Sequence, residues 1–524
     1  MDTKALRQKI LDLAIRGKLV PQEPNDEPAS VLLERIRAEK QQMVKDGKLK
    51  AKDIKNDTVI FVGEDNLHYE KFSDGSVKCI EEEIPFELPK GWEWIRLNTI
   101  ASFSGGKTPS TSKSEFWGHD YLWITSKDMK SKYITESKLC LSKKGAETMQ
   151  LLDVDTLLFV ARSGILRHSF PVAIIKKPAT INQDIKAITL YLPELSEFLY
   201  YYLKGIEKRI LLKYSKSGTT VENINFDLFK NIPVPIPPTS EQHRIVLEIN
   251  KVLSFTSSIE NNKVDLQSLI QQTKSKILDL AIRGKLVPQD PNDEPASVLL
   301  ERIKADKEGL IKQGKIKRDK KESVIFRGED NSYYRISSYN KSCREQLYEL
   351  PANWSICTLP DIAKIDLGKT LDTSKKTGKP HSYLRSVNVR WCNIDLSDLK
   401  EMLIEDEELE RYSVQKNDLL ICEGGDVGRS CVWTSNETIC YQNALHRVRL
   451  YDNCNPFFFM YYMMHYESKG IIKDMCKGVT IKHLTGNVLS TIPFSLPPVS
   501  EQNRIVTAIE TTFAQLDKIA NAIV

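Results

Sequence analysis

The chain has 524 residues, of which 41% are hydrophobic and 28% charged, a composition that fits a folded globular protein and excludes a fibrous or disordered one. At about 150 residues per domain the length allows three or four units and argues against a single core. Lysine and arginine number 75 against 70 acidic residues, so the net charge of +5 is too small to announce a polyanion partner by itself.

In chain order, the amino end (MDTKALRQKI) is too polar for a signal peptide. The longest apolar run, Phe457 to Met464, falls far short of the ~20 residues that span a membrane. The ten cysteines form no Cys-x-x-Cys pair, which argues against a zinc ribbon, a redox motif or a secreted disulfide framework. A cytoplasmic protein with free thiols is expected. After Gly17, PNDEPASVLLERI reads as a Pro-rich turn and a short amphipathic helix. A basic linker follows (Lys45, Lys48, Lys50, Lys52, Lys55), then VIFVGEDNLHYEKF, where Gly-Glu-Asp-Asn predicts a hairpin.

The dominant signal is an internal repeat. Lys9 to Ile36 recurs at Lys276 to Ile303 with one difference, Glu23 against Asp290. LPKGW at Leu88–Trp92 recurs as LPANW at Leu350–Trp354, and IPVPIPPTSEQHRIV at Ile232–Val246 as IPFSLPPVSEQNRIV at Ile492–Val506. A second basic linker (Lys312, Lys315, Lys317, Arg318, Lys320, Lys321) and a second hairpin keep the same order, whereas the stretches between the matched borders diverge. The predicted division is 1–56 helical, 57–87 hairpin, 88–237 first variable domain, 238–320 helical, 321–349 hairpin, 350–497 second variable domain and 498–524 helical.

Thr239 with Gln242 has capping-box spacing, and Ser500 is the matching N-cap candidate. Beyond Thr239, the alternating four-and-three spacing from Ile245 to Leu280 predicts one long coiled-coil-like helix, roughly 65 Å long, able to act as a spacer. The carboxyl end copies the first part of this helix and the amino end its later part, with Val524 aligned to Val264 and Met1 to Ser268. The fold expected is therefore α+β: two α/β domains joined by long antiparallel coiled-coil-like helices, in a pseudo-twofold circular arrangement. Tandem duplication with separate domains is the alternative.

The PIPP-x-SEQ-x-RIV helix start, the LP-x-x-W motif and the duplicated frame together resemble the specificity subunits of Type I restriction-modification enzymes, over nearly the whole chain. The resemblance implies that each variable domain is a target-recognition domain reading one half of a split site in double-stranded DNA. It implies that the helices hold the domains apart and dock two methyltransferase subunits, which bind S-adenosylmethionine and methylate adenine. Translocating nuclease subunits using ATP and Mg2+ can join them. It supplies no catalytic residue, metal ligand or cofactor site for this chain.

The sharpest rival is a phosphate-loop pattern in both variable domains, ASFSGGKT at Ala101–Thr108 and AKIDLGKT at Ala363–Thr370, which would suit a nucleotide-dependent enzyme. Pro109 and a polar run follow the first copy where a helix would be needed. Asn455-Pro456-Phe457 only approaches an adenine-methyltransferase motif, and a helical scaffold that never touches DNA is a further option. Base edges are read by basic and polar side chains. The DNA-binding candidates are Lys107, Thr108, Lys369 and Thr370 in the Gly-Lys-Thr loops; Ser126 and Lys127 against Arg385, Asn388 and Arg390; Arg162, Ser163 and Arg167 against Arg429; and Lys216, Thr219 and Thr220 against Lys477, Thr480 and Lys482. Gln183 and Gln442, matched by residue type, read as structural hydrogen-bonding groups.

Overall fold

The computed structural model describes residues 2–55, 57–216, 221–314, 323–327, 333–337, 340–345, 350–371, 377–476 and 483–523. The chain forms two compact units, Met1–Asn262 and Lys263–Val524. The division falls inside the helix Thr239–Ile282, so its first part belongs to one unit and its remainder to the other.

In the first unit the helix Thr3–Ile15 starts where the Asp2 carboxylate accepts the Ala5 N–H (2.9 Å). It buries Ile10, Ala14 and Ile15 and stops at Gly17, whose φ of +63° only glycine adopts without strain. A Cβ on Gly17 would stand 2.5 Å from Pro89 and 3.0 Å from Trp92, so the helix stop is seated on the Leu-Pro-x-x-Trp segment. Trp92 in turn donates its indole N–H to Glu241 (2.9 Å), and Gln22 donates to the other oxygen of the same carboxylate (2.6 Å). Arg244 pairs with Asp26. The repeated motifs, distant in sequence, are thus parts of one hydrogen-bonded knot. Burial raises the Glu241 carboxyl above its ordinary range, with the Trp92 and Gln22 hydrogen bonds pulling the other way.

The second unit repeats the knot: Gly284 (φ +65°) against Pro351 and Trp354, Trp354 to Glu501 (2.9 Å), Gln289 to Glu501, and Arg504 to Asp293. In the first unit Arg7 reaches Glu260 (2.7 Å) while Gln22 meets Glu241, so Thr3–Ile15 runs antiparallel to the start of the long helix. In the second, Lys274 meets Asp517 (2.6 Å) and Gln289 meets Glu501, which sets the rest of the long helix antiparallel to Val499–Ala522.

The capping expected of these helices is corrected. Gln242 makes no capping box: its amide turns back to the Pro237 carbonyl (2.8 Å), as Gln502 does to Pro497, and the last helix begins at Val499 without a Ser500 cap. Between Thr256 and Ile270 no residue of the long helix is buried.

Each variable domain is mixed α and β, with strands mainly antiparallel. In the first, a five-stranded sheet runs in the order Ala101–Gly105, Ile185–Leu190, Leu157–Val160, Val172–Ile175, Tyr133–Ile134, and only its last pair is parallel. A second sheet pairs Ala179–Ile181 in parallel with Tyr121–Ile124. The apolar run Leu157–Val160 is buried on both faces. Leu157 and Phe159 pack with Phe198 and Leu199 of the helix Ser196–Gly205, while Leu158 and Val160 pack with Ile124 and Ile181. The aromatic run of the second unit is likewise a buried helix, Pro456–Ser468. Antiparallel pairing of Glu93–Arg96 with Pro233–Ile236, and of Ser355–Thr358 with Pro493–Leu496, closes each domain where it begins and ends.

The expected hairpin gains a third strand (Val59–Val62, His68–Lys71, Val77–Cys79), and Arg96 anchors it through Glu70 (2.6 Å). The second copy has strands Ser323–Arg327, Tyr333–Ser337 and Asn340–Glu345, while residues 315–321 of the second basic linker lie outside the described residues. Among the described residues no helix is long and apolar enough to cross a membrane.

Candidate nucleic-acid interface

In the first domain the site is built on a small antiparallel sheet, Arg162–Ser163 with Glu222–Ile224 with Ser215–Lys216. Its register sets Asn223 opposite both Arg162 and Lys216, so two cations flank an amide on one face. Arg162 and Lys216 are exposed. The Asp184 carbonyl accepts the N–H groups of Ala161 (2.8 Å) and Arg162 (3.2 Å), which ties this row to the loop after Ala179–Ile181. Ser126, Arg162, Ser163, Gly164, Gln183, Asp184 and Val221 line one open cleft of about 430 Å³. Sequence reasoning missed Asn223 because its strand is three residues long and only the cross-strand register gives it neighbours.

The Gly-Lys-Thr loop borders this cleft. A Cβ on Gly106 would lie 2.0 Å from the Ile181 carbonyl oxygen, and Lys107 N–H donates to that oxygen (3.1 Å). Gly368 and Lys369 repeat both features against Tyr441 and Gln442. The glycine is required because backbone crosses backbone there. No helix follows Gly106 through Lys113, so the phosphate-cradling helix N-terminus of a nucleotide loop is not formed. Gly106→Ala is expected to cost at least ~1–3 kcal/mol, since neither backbone segment can yield as a side chain would. A thermal melt equal to that of the parent would contradict this packing.

Lys107, Thr108 and Lys127 are exposed, and Arg167 is half-exposed with a 3.6 Å approach to Glu222. Thr219, Thr220, Lys477, Thr480 and Lys482 lie outside the described residues. In the second domain Arg390 and Thr370 are exposed, but three other candidates are committed to the fold. Lys369 is buried, with its ammonium on Glu408 (2.7 Å) and over the Tyr412 ring. Asn388 is buried and closes the turn that starts at Arg385, accepting Arg385 N–H (2.9 Å) and donating to Asp395 O (2.9 Å), just as Asp128 accepts Thr125 N–H. Arg429 is buried, donates to Ser386 O (2.9 Å) and pairs with Asp426. Freeing a cation or amide held in this way for DNA would break its present bonds and leave its partner unpaired. Arg385 is partly covered and pairs with Asp398 (2.6 Å).

Backbone hydrogen bonds also correct two sequence pairings. Val160 N–H bonds Pro171 O where Cys422 N–H bonds Arg429 O, so Arg429 stands at the place of Pro171 and not of Arg167. Asn182 N–H bonds Ile124 O where Gln442 N–H bonds Leu384 O, so Gln442 matches Asn182, and Asn443 matches Gln183. By the same reasoning Leu484 corresponds to Ile224, which sets His483 at the place of Asn223 and Gly424 near that of Arg162. Beneath this loop burial pushes the Cys422 thiol up to about 11, against the pull of Arg429, so it stays protonated. Among the described residues no three His, Cys, Asp or Glu side chains gather as metal ligands.

The family model described as the Type I restriction modification DNA specificity domain matches residues 89–266 and again 351–523. The EcoAI specificity subunit of Escherichia coli is 28% identical over 98% of this chain and 90% of its own length. The EcoEI specificity subunit of Escherichia coli is 27% identical over the same shares. A solved structure described under complex assembly and conformational transition of the type I R-M system covers 84% of this chain and 94% of its own, with a TM-score of 0.50 at 17% identity, a likeness of fold. With two copies of one family domain spanning most of its length, each carrying the same knot of motifs, the chain belongs to the Type I restriction modification DNA specificity family.

Proposed function

We propose that the chain reads a split target in double-stranded DNA for a Type I restriction-modification assembly, one half-site per variable domain. Adenine methylation with S-adenosylmethionine, and ATP- and Mg2+-dependent translocation and cleavage, then belong to partner subunits. One observation carries this reading: an unchanged frame presents unlike chemistry at matching loop positions. Arg162 stands against Gly424, Asn223 against His483 and Lys127 against Val387. A duplicated scaffold with different polar groups at equivalent places suits two unlike base sequences, since discrimination comes from groups facing base edges. The exposed lysines and Arg390 then serve the phosphates, which position the duplex without reading it.

The helices act as spacer and as docking surface for two methyltransferase subunits in the cytoplasm. Thr239–Ile282 has 44 residues, about 66 Å at 1.5 Å each. The antiparallel pairing found separately in each unit supports a closed, pseudo-twofold arrangement of the frame.

Mapping methylated adenines in DNA from cells that express the chain with its methyltransferase is expected to give one split motif with unlike halves. Exchanging residues 88–237 for those of another family member should change one half alone. A contiguous motif, or a change in both halves, would overturn independent reading.

A further inference from the structure

Resting on that reading, we infer that Gln183 and Asn443 are specificity-determining residues, each contacting the major-groove edge of an A·T base pair in its own half-site. The buried, fold-making amide of the first domain is Asn182, whose side chain accepts Asp184 N–H (3.2 Å) and donates to the Asp184 carboxylate (3.3 Å). Gln183 is its exposed neighbour. The peptide before it is locked by the Gly106 crossing, and its side chain lines the same cleft as Arg162 and Ser126.

The Thr108 hydroxyl donates to Gln183 Oε1. A hydroxyl can donate to an amide oxygen or accept from its nitrogen, so this bond anchors the amide without fixing its sense; with the oxygen on Thr108, one of its two acceptor positions is used. The other acceptor position and the Nε2 donors face a partner. An acceptor beside a donor in one plane complements adenine, which offers the N6 amino group as donor and N7 as acceptor. A side chain already held in one orientation loses little freedom on binding.

The second domain places an amide at the equivalent loop position. Asn443 takes the matching position, its N–H bonded to Lys369 O (2.9 Å), behind the same glycine crossing at Gly368. An amide has thus been kept at one place in two domains whose neighbouring readers differ, with a side chain one methylene shorter in the second. Thr108 is a positioning residue for the first.

The test is selection from random duplex DNA by the full chain assembled with its methyltransferase subunits, comparing parent, Gln183→Ala, Gln183→Glu, Thr108→Val and Asn443→Ala. In Gln183→Ala the preference for A·T at one base pair of one half-site is expected to fall about tenfold or more, with the other half-site and the spacer unchanged. Gln183→Glu should turn the same position toward cytosine, whose amino group a carboxylate accepts. Thr108→Val should relax that position to a smaller degree, and Asn443→Ala should act on the opposite half-site. The assignment is overturned by parent-like preferences in Gln183→Ala, by relaxation of both halves together, or by loss of all selection in a variant that melts like the parent. If the parent complex selects no split site at all, the DNA-reading function fails before any variant is compared.

Discussion

Replacing Trp92 with alanine is expected to destabilise the first unit by about 3–5 kcal/mol, the range for emptying a buried tryptophan site. Trp92 is 5% exposed, packs edge-on against Phe198, and covers the Gly17 helix stop. Its loss also takes one of the hydrogen bonds from the buried Glu241 carboxylate, which is left with Gln22. An under-satisfied buried carboxylate adds its own cost of about 1–3 kcal/mol. Amide hydrogen exchange can localise the effect, because the change lies in Met1–Asn262 and the Trp354–Glu501 knot is untouched. Faster exchange spread evenly over both units, or none at all, would show that the motif knot does not hold its own unit together.

The second large effect is a loss of stability in mild acid confined to Lys263–Val524. His465 is fully buried in Pro456–Ser468, and neither ring nitrogen has a hydrogen-bond partner. Burial pushes its pKa down to about 4 from 6.5, with Asp279 pulling it upward and Lys469 and Arg283 adding to the depression. Above pH 6.5 the ring is neutral whether the unit is folded or not. Below 6.5 only the unfolded chain takes the proton, so stability falls with pH until the folded ring also protonates near 4. The shift corresponds to roughly 3 kcal/mol across that window, and about 2 kcal/mol is gone by pH 5. Gly205 stands at the corresponding place in the first unit, where Gln8 donates to its carbonyl (3.0 Å), so that unit has no such group. The raised Glu241 and Glu501 carboxyls occur in both units and cancel in the comparison. His465→Leu should remove most of the difference between pH 7 and pH 5 in chemical denaturation followed by hydrogen exchange, the buried His446, whose pKa burial also lowers, keeping the rest. A variant with the parent's full pH dependence would place the acid sensitivity elsewhere.

The frame was legible because its signals are short-range and appear twice. A glycine stop, a Pro-Pro break and a Ser-Glu-Gln helix start each act within a few residues, and repetition at Lys9–Ile36 and Lys276–Ile303 separates signal from chance. The Leu-Pro-x-x-Trp motif was visible as a border, but its job was not. Nothing in LPKGW announces that its indole will meet a carboxylate 149 positions away.

The loops proposed to read DNA were the least legible part, for two physical reasons. The chain from Leu419 is four residues shorter than its counterpart before the strand it pairs with, so the region holding Arg162, Ser163 and Arg167 was set against Arg429, and Gln183 against Gln442, across a shifted register. Only backbone hydrogen bonds restore the register. Burial also cannot be read from a polar residue's identity. Lys369, Asn388 and Arg429 look like surface groups in sequence, yet each is enclosed with a partner, Glu408 and Ser386 for the two cations from distant segments and Asp395, seven residues on, for the amide.

By itself the sequence determined that this protein is a duplication and which family it belongs to, because those properties reside in the order of local motifs. Tertiary structure decided which of the many exposed-looking cations and amides are exposed and which are held by the fold. That choice depends on which strands lie side by side, as in the row Arg162, Asn223, Lys216, and on where one backbone crosses another at Gly106. Such contacts join residues far apart in the chain, and they are fixed by packing and hydrogen-bond register, not by local propensity.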